Sequence, residues 1–166
     1  MVGIASLSAQ TAQPNLPARV TMPDNAKITL LVQTYIAALS HANLTGNYTV
    51  LHAMASPAFQ SLNSPTQLAQ KFAAFRTQGI DIGPAILLPP ILSGPPALEG
   101  AGLLHVSGHY ETKPQRVVFD MVFQAVNNVW RLSGIAVSTV VPQAAEQPHL
   151  EIQIPKAAKP SGPAQR

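Results

Sequence analysis

Proline decides where this chain can carry regular structure. Pro14, Pro17 and Pro23 punctuate its start, and Pro142, Pro148, Pro155, Pro160 and Pro163 punctuate its end. Each proline removes a backbone donor and fixes φ, so a helix interior or a central strand cannot run through it. The expected organisation is a disordered arm over 1–23, a single domain over 24–141 and a Pro-rich disordered tail over 142–166. A chain of 166 residues suits one such domain, and no internal repeat is visible.

Composition narrows the functional classes. Charged residues make up 10% of the chain and hydrophobic ones 46%, which excludes a charge-driven disordered protein. The basic residues behind the net charge of +3 are scattered, among them Lys27, Lys71, Arg76, Lys113, Arg116 and Arg131, with only Lys156, Lys159 and Arg166 grouped in the tail. A nucleic-acid partner needs a dense basic stripe with interleaved aromatics, so none is expected. The absence of cysteine excludes disulfides, thiol catalysis and cysteine-based zinc sites. No apolar run approaches the ~18 residues of a membrane span. Val2 to Leu7, followed by Ser8-Ala9 and a polar, proline-bearing stretch, resembles the end of a secretory signal peptide. That likeness implies a periplasmic or secreted protein; without it, a cytoplasmic one.

Hydrophobic periodicity divides the body into two halves. Asp24 is an N-cap candidate, and Ile28, Leu31, Val32, Tyr35, Ile36 and Leu39 recur at helical spacing, predicting a first helix that ends near Ser40-His41-Ala42. Asn43 to Gly46 reads as a turn. Tyr48 to Ala55 is expected as a second helix stopped by Ser56-Pro57, with Phe59 packing back. Ser64-Pro65 opens a third, with Leu68, Phe72 and Phe75 buried and Gly79 closing it. Beyond Gly79 the period becomes that of strands. Ile80 to Leu88 is expected as a strand broken by Pro84, and Pro89-Pro90 and Pro95-Pro96 frame a loop or edge segment. Leu103 to Thr112, Gln115 to Val126 and Val129 to Val140 follow as strands, joined by Lys113-Pro114 and by Asn127-Asn128, with Gly134 marking a bulge. Val117, Phe119, Met121 and Phe123 occupy one face of the middle strand. Three helices followed by long antiparallel strands form an α+β domain. Strands of that length must twist and coil, so the helices are expected to cap a strongly bent sheet enclosing a cone.

The run Val32-Gln33-Thr34-Tyr35-Ile36-Ala37-Ala38-Leu39, the turn Asn43-Leu44-Thr45-Gly46 and the closing Asn127-Asn128-Val129-Trp130-Arg131-Leu132 resemble the nuclear-transport-factor-2-like superfamily. The likeness is nearest to its ketosteroid isomerase and polyketide-cyclase-like members. It covers 24–141 and implies the cystatin-like cone fold. It also implies that Tyr35 matches the first-helix tyrosine that serves the isomerases as an oxyanion donor. Those enzymes need a carboxylate base shortly after the second helix, yet residues 56–64 contain neither Asp nor Glu. Proton abstraction requires a base within hydrogen-bond reach, so isomerase chemistry does not follow from the resemblance.

The candidate site residues are therefore pocket residues. Tyr35, Tyr48, His52, Phe59, Phe119, Met121, Phe123 and Trp130 are expected to line a cavity, with Asp120 as its polar group if its strand face turns inward. The wholly apolar opposite face makes an outward Asp120 the simpler expectation. His105 and His109 share a strand face roughly 13 Å apart, too far for a shared metal. No metal, cofactor or catalytic residue is assigned. The expected function is non-catalytic binding of a small apolar ligand or a protein partner, with a homodimer through the sheet face. The alternative is a small isomerase- or cyclase-like enzyme using Tyr35, His52 or Asp120.

Overall fold

The computed structural model describes residues 20–100 and 102–141. The proposed signal remnant and the proline-rich tail lie outside the described residues. Helix α1, Asn25–Thr45, starts where Asp24 Oδ1 accepts the Lys27 N–H at 2.7 Å. It runs past the expected end at Ala42. Thr45 Oγ1 donates back to the His41 carbonyl at 2.8 Å, and Gly46 takes the left-handed conformation (φ 72°) that terminates a helix. Ile28, Leu31, Val32, Tyr35, Ile36 and Leu39 form its buried stripe, as their spacing predicts.

Helix α2, Thr49–Met54, is followed directly by α3, Pro57–Leu62, which the sequence reading does not anticipate. Ser56-Pro57 ends one helix and begins the next: Ser56 Oγ accepts the Phe59 N–H at 3.3 Å and Pro57 fills the first turn, where no donor is needed. Ser64-Pro65 acts in the same way for α4, Pro65–Lys71. There Ser64 and Gln67 form a reciprocal capping box at 3.2 and 2.8 Å. The predicted third helix is two pieces, α4 and α5 (Ala73–Thr77), because the chain steps out of helical geometry at Phe72 (φ −98°, ψ 13°). Phe72 and Phe75 are both buried, as their spacing predicts. The expected strand over Ile80 to Leu88 is instead a 3-10 helix, Gly83–Leu87. Asp81 Oδ1 accepts the Gly83 N–H at 2.7 Å, and Pro84, which has no ladder donor, fits the first helical turn.

Five strands build one antiparallel sheet: β1 (Ile91–Leu92), β2 (Ala97–Glu99), β3 (Leu103–Tyr110), β4 (Arg116–Val126) and β5 (Val129–Val140). Their order is β1-β3-β4-β5, and β2 also pairs with β3. The two proline pairs therefore frame short edge strands. Asn127 and Asn128 adopt positive φ (51° and 62°), the geometry of a tight hairpin that follows sheet twist. Val122 pairs with Gly134 and Phe123 with Leu132, so Ser133 is an extra residue and the bulge lies beside Gly134. That extra residue lets Leu132 and Ile135 both join the core side.

The helices cover one face of this sheet. Val117, Phe119, Met121 and Phe123 are buried there with Leu104, Val106 and Tyr110 of β3. Tyr35 of α1 meets Phe123 with ring centroids 5.7 Å apart, and Tyr110 meets Phe119 at 5.5 Å. Among the described residues no helix is long and apolar enough to cross a membrane.

Candidate functional site

The expected pocket residues do not share one cavity. Phe119, Met121 and Phe123 are at most 1% exposed, packed within the core rather than lining an opening. Tyr48 is also buried. Its hydroxyl accepts from Arg76 Nη1 at 2.6 Å and donates to Asn43 Oδ1. Phe59 is buried on α3, facing a shallow cleft shared with Phe72 and Val137. His52 is half-buried on α2, with its Nε2 3.3 Å from the Gln60 carbonyl. Asp120 lies on the sheet face away from the helices, 53% exposed in its side chain. The inward reading of Asp120 is thus corrected: β4 alternates from Arg116 to Gln124, and the four apolar residues take the inner face.

Tyr35 and Trp130 do come together. They line a groove of about 300 Å³ between the N-terminal half of α1 and the start of β5. Leu30 and Leu31 form one wall, and Lys27 and Arg131 lie on its rim. Leu30 and Val129 are more than half exposed. The groove follows from two local facts. Leu30 is an apolar residue just off the buried stripe of α1, and the hairpin brings Trp130, which pairs with Ala125, to the same side as Leu132. At its base the Tyr35 hydroxyl donates to the Met54 carbonyl at 2.8 Å and accepts from the Leu132 N–H at 3.2 Å. Burial raises the Tyr35 pKa against smaller lowering effects of the Leu132 hydrogen bond and the Arg131 charge, so the phenol stays neutral. Its oxygen already ties two backbone segments together. Lys27, Leu30 and Arg131 escaped the sequence reading. The available signal was an apolar residue out of register with its own helix stripe.

The outer sheet face carries the acid–base groups. His105 Nε2 meets Asp120 Oδ1 at 2.7 Å, and His105 Nδ1 meets Glu99 Oε1 at 3.1 Å. The hydrogen bond to Asp120 raises the His105 pKa most, and Glu99 adds to it, against a smaller lowering by desolvation. The carboxylates flank opposite ring nitrogens, so they do not converge on a common point. Among the described residues no group of three His, Asp or Glu side chains is arranged to hold a metal. His109 pairs separately with Glu111 at 3.1 Å, and Glu111 with Arg116 at 2.6 Å.

Tyr35, His52 and Asp120 consequently point to three different places: the base of the groove, the α2–α3 junction and the exposed sheet face. No protein-family model, no curated protein and no solved structure matches this chain.

Proposed function

We propose that this chain is an exported, non-catalytic binding protein with the cone fold of the nuclear-transport-factor-2-like superfamily, and that its groove between α1 and β5 holds an apolar ligand with an anionic end. The observation that carries the reading is the groove itself. Leu30, Leu31 and Trp130 offer apolar contact, and among the described residues the charged side chains on its rim are the cations Lys27 and Arg131. A volume of about 300 Å³ falls at the low end of the ~300–1,000 Å³ typical of small-molecule sites. The helical half, the antiparallel sheet and the buried Tyr35 favour the superfamily resemblance. The isomerase-like alternative lacks support: a catalytic site needs at least two convergent polar groups, and the three candidates diverge.

Trp130 is the only tryptophan in the chain, so its fluorescence reports on the groove directly. Titration with decanoate is expected to shift Trp130 emission saturably. Leu30→Glu, which places a carboxylate on the apolar wall, is expected to abolish the response, and Lys27→Glu to weaken it. An emission spectrum indifferent to decanoate, or a response that survives Leu30→Glu, would sink the proposal.

A second reading rests on a separate observation. The sheet face opposite the helices has no described element covering it, and along β4 and β5 it presents Val118, Val122, Gly134 and Ala136. A homodimer through that face fits these small and apolar side chains.

A further inference from the structure

A second concavity lies at the other end of α1, where nothing in the groove reading reaches. It measures about 320 Å³ and is enclosed by the C-terminal turns of α1, by α5 and by the segment leading to the 3-10 helix. Its polar residues are Ser40, Asn43, Arg76 and Asp81, and Phe75 and Ile82 are among its apolar ones. Ser40 is 2% exposed, an unusual burial for a hydroxyl on a helix surface.

The hydrogen-bond polarity at this wall is fixed. Arg76 Nη1 donates to the Tyr48 oxygen at 2.6 Å, which obliges the Tyr48 hydroxyl to donate onward to Asn43 Oδ1. Asn43 therefore presents its Nδ2 away from that relay, and Nδ2 is buried without an acceptor among the described residues. Arg76 has five N–H donors. One goes to Tyr48 and another, through Nη2 at 2.7 Å, to the Ala69 carbonyl. Among the described residues no carboxylate lies within ion-pair distance of Arg76, so the guanidinium keeps both donors and charge to offer. Asp81 contributes the opposite charge to the same concavity. Its Oδ1 is engaged by the Gly83 N–H, which leaves Oδ2 for a ligand.

A buried amide donor without an acceptor, a guanidinium without a carboxylate and a carboxylate across from them describe a dipolar partner. We infer that this pocket binds a free α-amino acid with an aliphatic side chain. Its carboxylate is received by Arg76 and, after a small turn of the amide, by Asn43 Nδ2. Its ammonium is received by Asp81, and its side chain lies against Phe75 and Ile82. Leu44, which lines the pocket and is 73% exposed, is free to swing aside and admit the carboxylate to Nδ2. A plain anion would be repelled by Asp81 and a plain amine by Arg76, so the two charges together select the zwitterion.

The test uses the full chain and three probes of one shape: L-leucine, its amine counterpart isoamylamine, and its carboxylic-acid counterpart 4-methylpentanoate. Amide and guanidinium NMR resonances are followed during titration. L-Leucine is expected to shift the Asn43 side-chain amide pair and the Arg76 Nε–H signal, and to bind at least about tenfold more tightly than either analogue, the scale of one charge-assisted contact. Arg76→Gln is expected to remove binding. Because Arg76 also supports Tyr48 and Ala69, Asp81→Asn serves as the second variant: it should weaken L-leucine at least about tenfold while leaving 4-methylpentanoate unchanged or tighter. Unshifted Asn43 and Arg76 signals with L-leucine, equal affinity for the amine, or indifference to Asp81→Asn would each overturn the inference.

Discussion

Tyr35 shows how one atom can settle a residue's role. Its hydroxyl is the only hydrogen-bonded link from α1 both to the end of α2 and to β5 among the described side chains, through the Met54 carbonyl and the Leu132 N–H. A residue type that serves isomerases as an acid is here a structural clasp. Tyr35→Phe should therefore leave two buried backbone groups unpaired and cost about 1–3 kcal/mol of stability, read as a lower midpoint in urea denaturation. A midpoint equal to that of the native chain would show that the clasp is idle. His105 makes a prediction with a sign. Its pKa in the folded state is raised above the usual 6.5, chiefly by the bond to Asp120. The stabilisation it provides is therefore complete at pH values below the unfolded-state pKa and is lost as pH rises through the folded-state pKa. The chain should become less stable as pH rises past the ordinary 6.5, and His105→Gln should flatten that dependence. A slope unchanged by the substitution would assign it elsewhere. Exposure of the cluster keeps the effect small.

At the scale of elements, legibility followed how many independent signals agreed. The middle strand could be read outright, because Val117, Phe119, Met121 and Phe123 alternate without exception and each is buried. The bulge at Gly134 and the Asn127-Asn128 hairpin were legible through single residues with strong backbone preferences. Helix α3 was not, since Ser56-Pro57 reads equally as a stop and as a start, and only packing of Phe59 decides. The segment after Gly79 was misread because β-branched residues suggest a strand, whereas Asp81 and Pro84 together set a helical turn. Of the groove, Tyr35 and Trp130 were foreseeable as aromatics, but their meeting depends on where the hairpin lands on α1. One glycine tests the element packing. A Cβ on Gly108 would stand 2.4 Å from the Ile91 carbonyl oxygen and 2.8 Å from Phe119 Cζ. The first is backbone of the short edge strand β1, which can yield only by moving away. Gly108→Ala should therefore cost about 1–3 kcal/mol and speed amide exchange across Ile91 and Leu92. Gly134→Ala, whose nearest contact is Val122 Cβ at 3.4 Å, should cost less. Equal losses at the two positions would contradict this account of β1.

At the scale of the molecule, the described helices form one layer on the sheet, and no described element covers the other sheet face. Its histidines and carboxylates are already paired within the chain: His105 with Glu99 and Asp120, His109 with Glu111, and Glu111 with Arg116. Between them, on β4 and β5, lie Val118, Val122, Gly134, Ala136 and Ser138, side chains short enough for two sheets to approach closely. The area sets the strength. Three strands over the eight residues of β3 project on the order of 400 Å², against ~800 Å² of accessible surface per partner in a standard interface. The dimer expected from this face is therefore weak and reversible. Sedimentation velocity should show a weight-average mass that climbs with concentration. Ala136 pairs with Asp120 in the ladder, so Ala136→Glu would set a second carboxylate beside the first and oppose the same pair on the other copy. That variant should sediment as a monomer at every concentration while unfolding at nearly the same temperature, because position 136 is exposed and outside the core. A native chain that stays monomeric throughout the series would leave the sheet face without a second copy. A dimer that survives Ala136→Glu would move the interface to another surface.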